Sequence, residues 1–475
     1  MKTMDFRPLL YRFAAPAAAL SIFFAMSWLY GHAERALYLE ILRWWGIVPF
    51  RFPFVDASGS LAAWECARHG INVIRADPCD VLQRSYSYSP LWMAFSAIPL
   101  GIKDAPIVGW ITDLLFLSSL AALPRPRRPL ELVLVLAATL STMVVFAAER
   151  ANPDILLFMM ALATALLAEG SFAARACGYA IGLFAALLKY YPIMILVIIF
   201  RERPLRFFAV GIAIFLALAT FGILYQKELA EGLPLIPTGP YFTDLFGAKN
   251  LPSLLGQLVA SALSPAPPAA LLGRISRDAT YLFLVVAVVQ FCRRLLGWAE
   301  FRADLSRLAE REHILLVIGS AVIAGCFFAG QSIGYRGVYF LLVLPGLLAA
   351  ARGAQRRGVR RLLVYTGVVI VILMWEECVR RAFDHFLAQA AFPAIAAWWL
   401  KFAFFFVREL AWWSIVSILA SVLIDFLMRS EIWATKGSLF RRIAPSSEGE
   451  AECTNTTANS IATMPPLPYA QRAQS

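Results

Sequence analysis

The stretch Phe52–Trp92, FPFVDASGSLAAWECARHGINVIRADPCDVLQRSYSYSPLW, decides how the rest of the chain is read. It is the longest polar interval in the first half of a strongly apolar sequence. It carries Asp56, Glu65, Asp77 and Asp80 and the pair Tyr86 and Tyr88, and it ends in Ser89-Pro90, where a new apolar run begins. Upstream, Leu9–Tyr30 is long enough to cross a bilayer, which takes about 20 apolar residues. The polar interval after it reads as a loop on the far side of the membrane, spanning 31–92, with Asp56 near the membrane surface.

Composition supports a membrane reading. The 475 residues are 60% hydrophobic and 16% charged, with a mean hydropathy of +0.68, whereas a soluble domain is about 25% charged. The expected class is an all-α polytopic membrane protein. A net charge of +12 would suggest nucleic acid in a soluble protein. Here the Lys and Arg residues cluster between apolar runs, the pattern that orients membrane helices, so no nucleic-acid partner is expected. The first apolar run is too long for a cleaved signal and lacks a small-residue cleavage site, so it is expected to remain as the first span.

In chain order, basic Met1–Arg12 is expected inside. His32–Phe50, with Trp44, Trp45, Arg35 and Arg43, suits an outer interfacial helix. Ser89–Leu100 is too short to cross and reads as a re-entrant element. Pro106–Leu123 crosses and ends in PRPRRP, residues Pro124–Pro129, inside. Leu130–Ala148 goes out, Glu149–Asp154 turns, and Ile155–Leu167 returns. Ala176–Phe200 is interrupted at Lys189-Tyr190-Tyr191-Pro192 and reads as a hairpin of short helices with Lys189 at the break. Phe207–Tyr225 and Tyr281–Leu296 flank a second outer loop, Gln226–Arg277. Ile314–Ala329, Gly337–Ala351, Leu362–Trp375 and Phe402–Met428 complete about twelve crossings, with Glu376–Leu400 as a third outer segment. Residues 437–475 are polar and aperiodic and are expected to form a disordered cytoplasmic tail after a membrane domain of 1–436. In this arrangement the basic clusters share one side, which makes both termini cytoplasmic.

The charged residues near membrane depth need a reason, because each costs about 2.5 kcal/mol or more. Asp56, Glu149, Arg150, Asp154, Lys189 and Arg336 all fall toward the outer face. Asp56 follows apolar Phe54 and Val55 and suits a proton acceptor for a hydroxyl; it also suits the N-cap of a helix running through Glu65. Lys189 suits a phosphate as a point charge or a snorkelling cation. Arg336 suits a phosphate bidentately, or an ion pair with Glu149 or Asp154. Tyr86 and Tyr88, with Trp92, suit sugar stacking or the aromatic belt. Cys66 and Cys79 form a disulfide if their loop lies outside the cytoplasm and are free thiols otherwise. The remaining Cys and the four His residues show no metal spacing.

Several segments, taken in order, resemble a known family: FVDASGSLAAWECARHG, then YSYSPLWMAFSAIPLG, an NPDILL hairpin, AALLKYYPIMILVIIFRERPLRF, and GYRGVYFLLVLPGLL. Over roughly residues 9–350 they resemble the polyprenyl-phosphate-sugar-dependent glycosyltransferases of the GT-C superfamily. The likeness is nearest to glycosyltransferase family 87, which includes phosphatidylinositol-mannoside mannosyltransferases. It rests on the order and spacing of short motifs. The resemblance implies a GT-C-like bundle with its active site at the periplasmic face of a bacterial inner membrane. It implies Asp56 as catalytic base and Lys189 and Arg336 as grips on the donor phosphate. Tyr86, Tyr88, Glu149, Arg150, Asn152, Asp154, Tyr191 and Tyr335 are the candidate substrate contacts. The donor implied is a polyprenyl-phosphate sugar, mannose or another hexose, the acceptor a lipid or glycan hydroxyl, and, since some members of the family use no metal, neither a metal nor another cofactor is expected. The chain departs from the family pattern at Glu149-Arg150-Ala151-Asn152, where Gly-Gln-x-Asn is common, and at Ser89, where Pro is usual. The competing class is a lipid or solute transporter, which would show paired broken helices in two halves. A purely structural scaffold leaves the one-sided acids and cations unexplained.

Overall fold

The computed structural model describes residues 7–32, 34–235, 245–264, 268–390 and 392–433. The tail 437–475 and parts of the Gln226–Arg277 loop lie outside them. The first helix, α1, is Arg7–Gly31, followed by a short α2, Arg35–Trp44, and by α3, Val55–Arg68. Next come α4 (Ala105–Ser119), α5 (Pro129–Thr139), α6 (Thr142–Glu149), α7 (Pro153–Leu167), α8 (Phe172–Leu188) and α9 (Pro204–Leu224). The second half comprises α10 (Gln226–Gly232), α11 (Asn250–Ala262), α12 (Ala269–Leu296), α13 (Ala299–Ser306), α14 (Glu310–Ala329), α15 (Phe340–Gly353), α16 (Arg357–Met374), α17 (Glu376–Gln389) and α18 (Ala394–Met428). A two-residue antiparallel pairing of β1, Leu245–Phe246, with β2, Ser332–Ile333, ties the α10–α11 connection to the end of α14. The chain is a helical polytopic membrane protein.

Local chemistry sets the boundaries. Proline occupies the first helical position of α5, α7 and α9, where a missing N–H costs nothing. Ser141, Asn152 and Ser171 cap α6, α7 and α8 with side-chain oxygens. The break between α5 and α6 frees carbonyls that side chains then satisfy. Trp45 Nε1 donates to the Leu140 carbonyl at 2.8 Å and Trp375 Nε1 to that of Ala137 at 2.8 Å, as buried backbone groups require. The core centres on α14 and α15, where Leu315–Ile318 and Phe340–Leu344 are almost wholly buried. At the other extreme, α9 has no buried residue; its apolar surface suits lipid.

Eight helical segments among the described residues are long and apolar enough to cross a membrane, or nine if α16 and α17, bent by 62°, count as one. Three shorter apolar helices accompany them: α7, α8 and a 3-10 helix over Tyr191–Arg201. The Ser89–Leu100 segment holds a 3-10 helix, Pro90–Ala97, of 8 residues. At about 2 Å per residue it is far too short to span; the Trp92 indole donates to the Leu188 carbonyl at the end of α8 at 3.0 Å. Two boundaries differ from the hydropathy reading. The helix expected from Tyr281 begins at Ala269, because its first turns carry exposed Arg274, Arg277 and Asp278, which masked the helical run. There α12 packs against α11 at a small-residue crossing, where a Cβ on Gly256 would lie 2.5 Å from the Gly273 carbonyl oxygen. Likewise α18 starts at Ala394 rather than at Phe402.

The basic clusters gather at one end of the bundle and are linked by ion pairs. Arg12 donates to the Ala121 carbonyl, Arg352 pairs with Glu131 and Glu312 at 2.8 and 3.5 Å, Arg201 with Glu310 at 2.5 Å, and Arg311 with Glu169 at 2.6 Å. Contacts this short, between segments so far apart in sequence, place these loops together, as the one-sided charge pattern requires.

Candidate active site

At the opposite end, α3 docks on the α6–α7 turn through its backbone. Phe54 takes the N-cap position with φ 61°, in the left-handed region, and has no capping side chain. The free N–H groups of the helix start find other acceptors: Phe54 N donates to the Glu149 carbonyl at 2.7 Å and Asp56 N to that of Arg150 at 3.1 Å. Asp56 therefore sits in the first helical turn and does not cap α3. Its negative charge is favoured there by the helix dipole.

The Asp56 side chain is 7% exposed. One carboxylate oxygen accepts from Asn152 Nδ2 at 2.7 Å. The other accepts from Arg84 Nη1 at 3.1 Å. Arg150 Nη1 stands 3.9 Å away, its guanidinium 4.2 Å from the centroid of the Phe146 ring. Each carboxylate oxygen keeps capacity for a further donor.

Arg84 is the partner that sequence reasoning missed. It is held by Asp80 at 2.8 Å and by the Val55 carbonyl at 2.9 Å. Burial works against its charge, but the hydrogen bonds and charges of Asp80 and Asp56 prevail and raise its pKa further. The one available signal was the Asp80–Arg84 spacing of four residues, a weak one outside a helix. The loop that leads into Arg84 is closed by a Cys66–Cys79 disulfide. It is further fixed by Asp77, which accepts from the backbone N–H groups of Cys79 and Asp80 at 3.2 and 3.3 Å. Burial raises the Asp77 carboxyl above the ordinary carboxylate range. Cys66, Asp77 and Cys79 lie close enough together to suggest a metal site, but both sulfurs are committed to the disulfide.

Asn152 joins this centre to a second one. As the cap of α7 its Oδ1 accepts from Asp154 N at 2.9 Å, which leaves its Nδ2 for Asp56. Ala151, with φ 44°, turns the chain between the helices. Asp154, fully buried in the first turn of α7, receives Lys189 Nζ at 2.5 Å and the Tyr191 hydroxyl at 2.8 Å. Arg336 Nε lies 3.7 Å from its other oxygen. Lys189 is free to reach in because α8 ends at Leu188 and Pro192 opens the next helix.

Aromatic rings enclose the cations. Lys189 Nζ is 5.3, 5.7 and 5.8 Å from the ring centroids of Tyr88, Tyr191 and Tyr335, and the Arg336 guanidinium is 4.6 Å from that of Tyr191. Tyr339, also unforeseen, places its hydroxyl 2.7 Å from that of Tyr191.

The structure thus brings Asp56, Arg150, Asn152, Asp154, Lys189, Tyr88, Tyr191, Tyr335 and Arg336 into one connected cluster. Two others make no side-chain hydrogen bond to it among the described residues, although the Tyr86 ring touches that of Tyr88. Tyr86 is buried beside Cys66 and Val73 in a small core under the loop, so its ring has no face for a sugar. Glu149 lends its carbonyl to α3, but its carboxyl lines an apolar cavity behind α3. Comparison with protein-family profiles, with characterised proteins and with solved structures gives no match.

Proposed function

We propose that the chain is a membrane glycosyltransferase that moves a hexose, mannose being the leading candidate, from a polyprenyl phosphate to an acceptor hydroxyl. The observation that carries this reading is the tripeptide Asn152-Pro153-Asp154. It couples a buried carboxylate, Asp56, to a partly buried cation pair, Lys189 and Arg336, across a single helix start. An acid that can accept a proton beside cations that can neutralise a leaving phosphate is the pairing such a transfer needs.

In this reading Asp56 takes the proton of the acceptor hydroxyl. The oxygen attacks the anomeric carbon and forms the new C–O bond, with inversion. The bond from that carbon to the phosphate oxygen breaks, and polyprenyl phosphate leaves with the electron pair and its charge on Lys189 and Arg336. Tyr88 and Tyr335 stand around Lys189, where the sugar would sit. The long apolar helices would make about twelve crossings once the three short apolar helices are counted. The membrane would be a bacterial inner membrane, with the basic end cytoplasmic and the Asp56 end periplasmic, by the positive-inside rule.

The test is direct. Purified protein mixed with a synthetic polyprenyl-phosphate mannose and a lipid acceptor should release polyprenyl phosphate and glycosylate the acceptor. Movement of the intact donor lipid between leaflets with no release would favour a transporter instead.

A further inference from the structure

Behind α3 lies a cavity of about 110 Å³ bounded by α1, α2, α4, α5 and α6. Its walls are mostly apolar, yet Asp113 of α4 and Glu149 of α6 both line it. Asp113 is fully buried and Glu149 is 8% exposed. All their carboxyl oxygens lack a hydrogen-bond donor among the described residues. Two such acids in a membrane-embedded wall are costly and point to a ligand. Phe23 and Trp110, in edge contact at 4.9 Å, form the half-exposed flank between α1 and α4. Phe54 lines the same cavity two residues before Asp56.

We propose that this cavity seats the acceptor of the transfer, an uncharged lipid whose hydroxyl-bearing head donates hydrogen bonds to Asp113 and Glu149 and whose chain leaves between α1 and α4. The chemistry of the wall selects the head. A phosphate brings only acceptors and negative charge to two carboxyls, so the anionic donor is directed away from this cavity and toward Lys189 and Arg336. An ammonium is disfavoured because Arg150, next to Glu149 in the chain and held over the Phe146 ring, already brings a positive charge to this end of α6. A hydroxyl head satisfies the carboxyl oxygens and brings a nucleophile beside α3, the helix that carries Asp56. The two lipids are thus sorted by charge.

The inference rests on the transferase reading, and its test is read without turnover. The full chain in nanodiscs is irradiated with three probes sharing one diazirine-bearing alkyl chain: a glucoside, a phosphate and an ammonium. The glucoside should label peptides containing Phe23, Met26 and Trp110, and the phosphate should label them far less. Asp113→Leu and Glu149→Leu should each cut that labelling by about fivefold or more, as lost buried hydrogen bonds imply. Ser27→Phe, which fills the cavity from α1 and leaves both acids in place, should cut it as well. Equal labelling by the phosphate, stronger labelling by the ammonium, or labelling that only Ser27→Phe reduces would overturn the proposal. If the labelling behaves as expected but no sugar is transferred, the cavity assignment stands and the transferase reading falls. Transfer without this labelling pattern gives the reverse.

Discussion

Asp154→Asn is the most informative single change. Asp154 is fully buried and compensates Lys189 at 2.5 Å and Arg336 at 3.7 Å. Removing one partner of a buried ion pair costs about 3–5 kcal/mol, because a charge is left uncompensated. Asparagine still offers an acceptor to Lys189 or to the Tyr191 hydroxyl, so the loss should fall at the low end, about 3 kcal/mol. Against a total stability of about 5–15 kcal/mol this is a large fraction, and a melt in detergent followed by tryptophan fluorescence should move down by several degrees. On the proposed function, the same change removes the anion that would compete with a donor phosphate. A short polyprenyl phosphate should therefore raise the melting temperature of the variant more than that of the native protein, and the matching polyprenol should raise neither. A ligand at 100 times its Kd adds about 2.7 kcal/mol, enough to recover most of the loss. Native-like melting of the variant, or equal shifts in both proteins, would refute the reasoning.

Other consequences follow from the same geometry. Lys189→Ala and Arg336→Ala should each raise the apparent KM for a polyprenyl-phosphate sugar at least about tenfold, as loss of a charge-assisted hydrogen bond implies; unchanged donor dependence in both would remove them from the site. Cys66→Ser opens a link across 13 residues and should cost about 3 kcal/mol of local stability, seen as new protease cleavage near Arg84 in the folded protein. Gly46→Ala should be far more damaging, because Gly46 has φ +85° and its Cβ would meet the Cys378 backbone nitrogen at 2.4 Å. Folded yield should drop sharply, whereas Gly31→Ala, with open space at its Cβ, should express normally.

The apolar runs and the basic clusters between them made the helical membrane architecture legible, since hydropathy and charge placement are local properties of the sequence. The cost of charge at membrane depth likewise singled out Asp56, Asp154, Lys189 and Arg336, which the structure brings together. The pairing among them was less accessible. Arg84 reaches Asp56 only because a disulfide and the Asp77 turn fold the loop back, and nothing in the local sequence encodes that distance. Asp113 escaped notice because a lone acid in the run Pro106–Leu123 does not disturb its hydropathy. The first turns of α12 were hidden by Arg274, Arg277 and Asp278, which point outward from a helix that packs through Gly256 and Gly273. Tyr86 looked equivalent to Tyr88 by sequence, and their rings meet edge to edge at 5.5 Å, but Tyr86 lies deeper, against Cys66 and Val73, while Tyr88 is the ring nearer Lys189.

The central claim is that Asp56 accepts the proton of the attacking hydroxyl, and turnover by Asp56→Asn measures it most directly. Asparagine preserves size and can still pair with Arg84, so the variant should fold and bind polyprenyl phosphate as the native protein does. Sugar transfer from polyprenyl-phosphate mannose should then fall by about 10²–10⁴-fold. A folded Asp56→Asn protein that transfers sugar at close to the native rate would contradict the account.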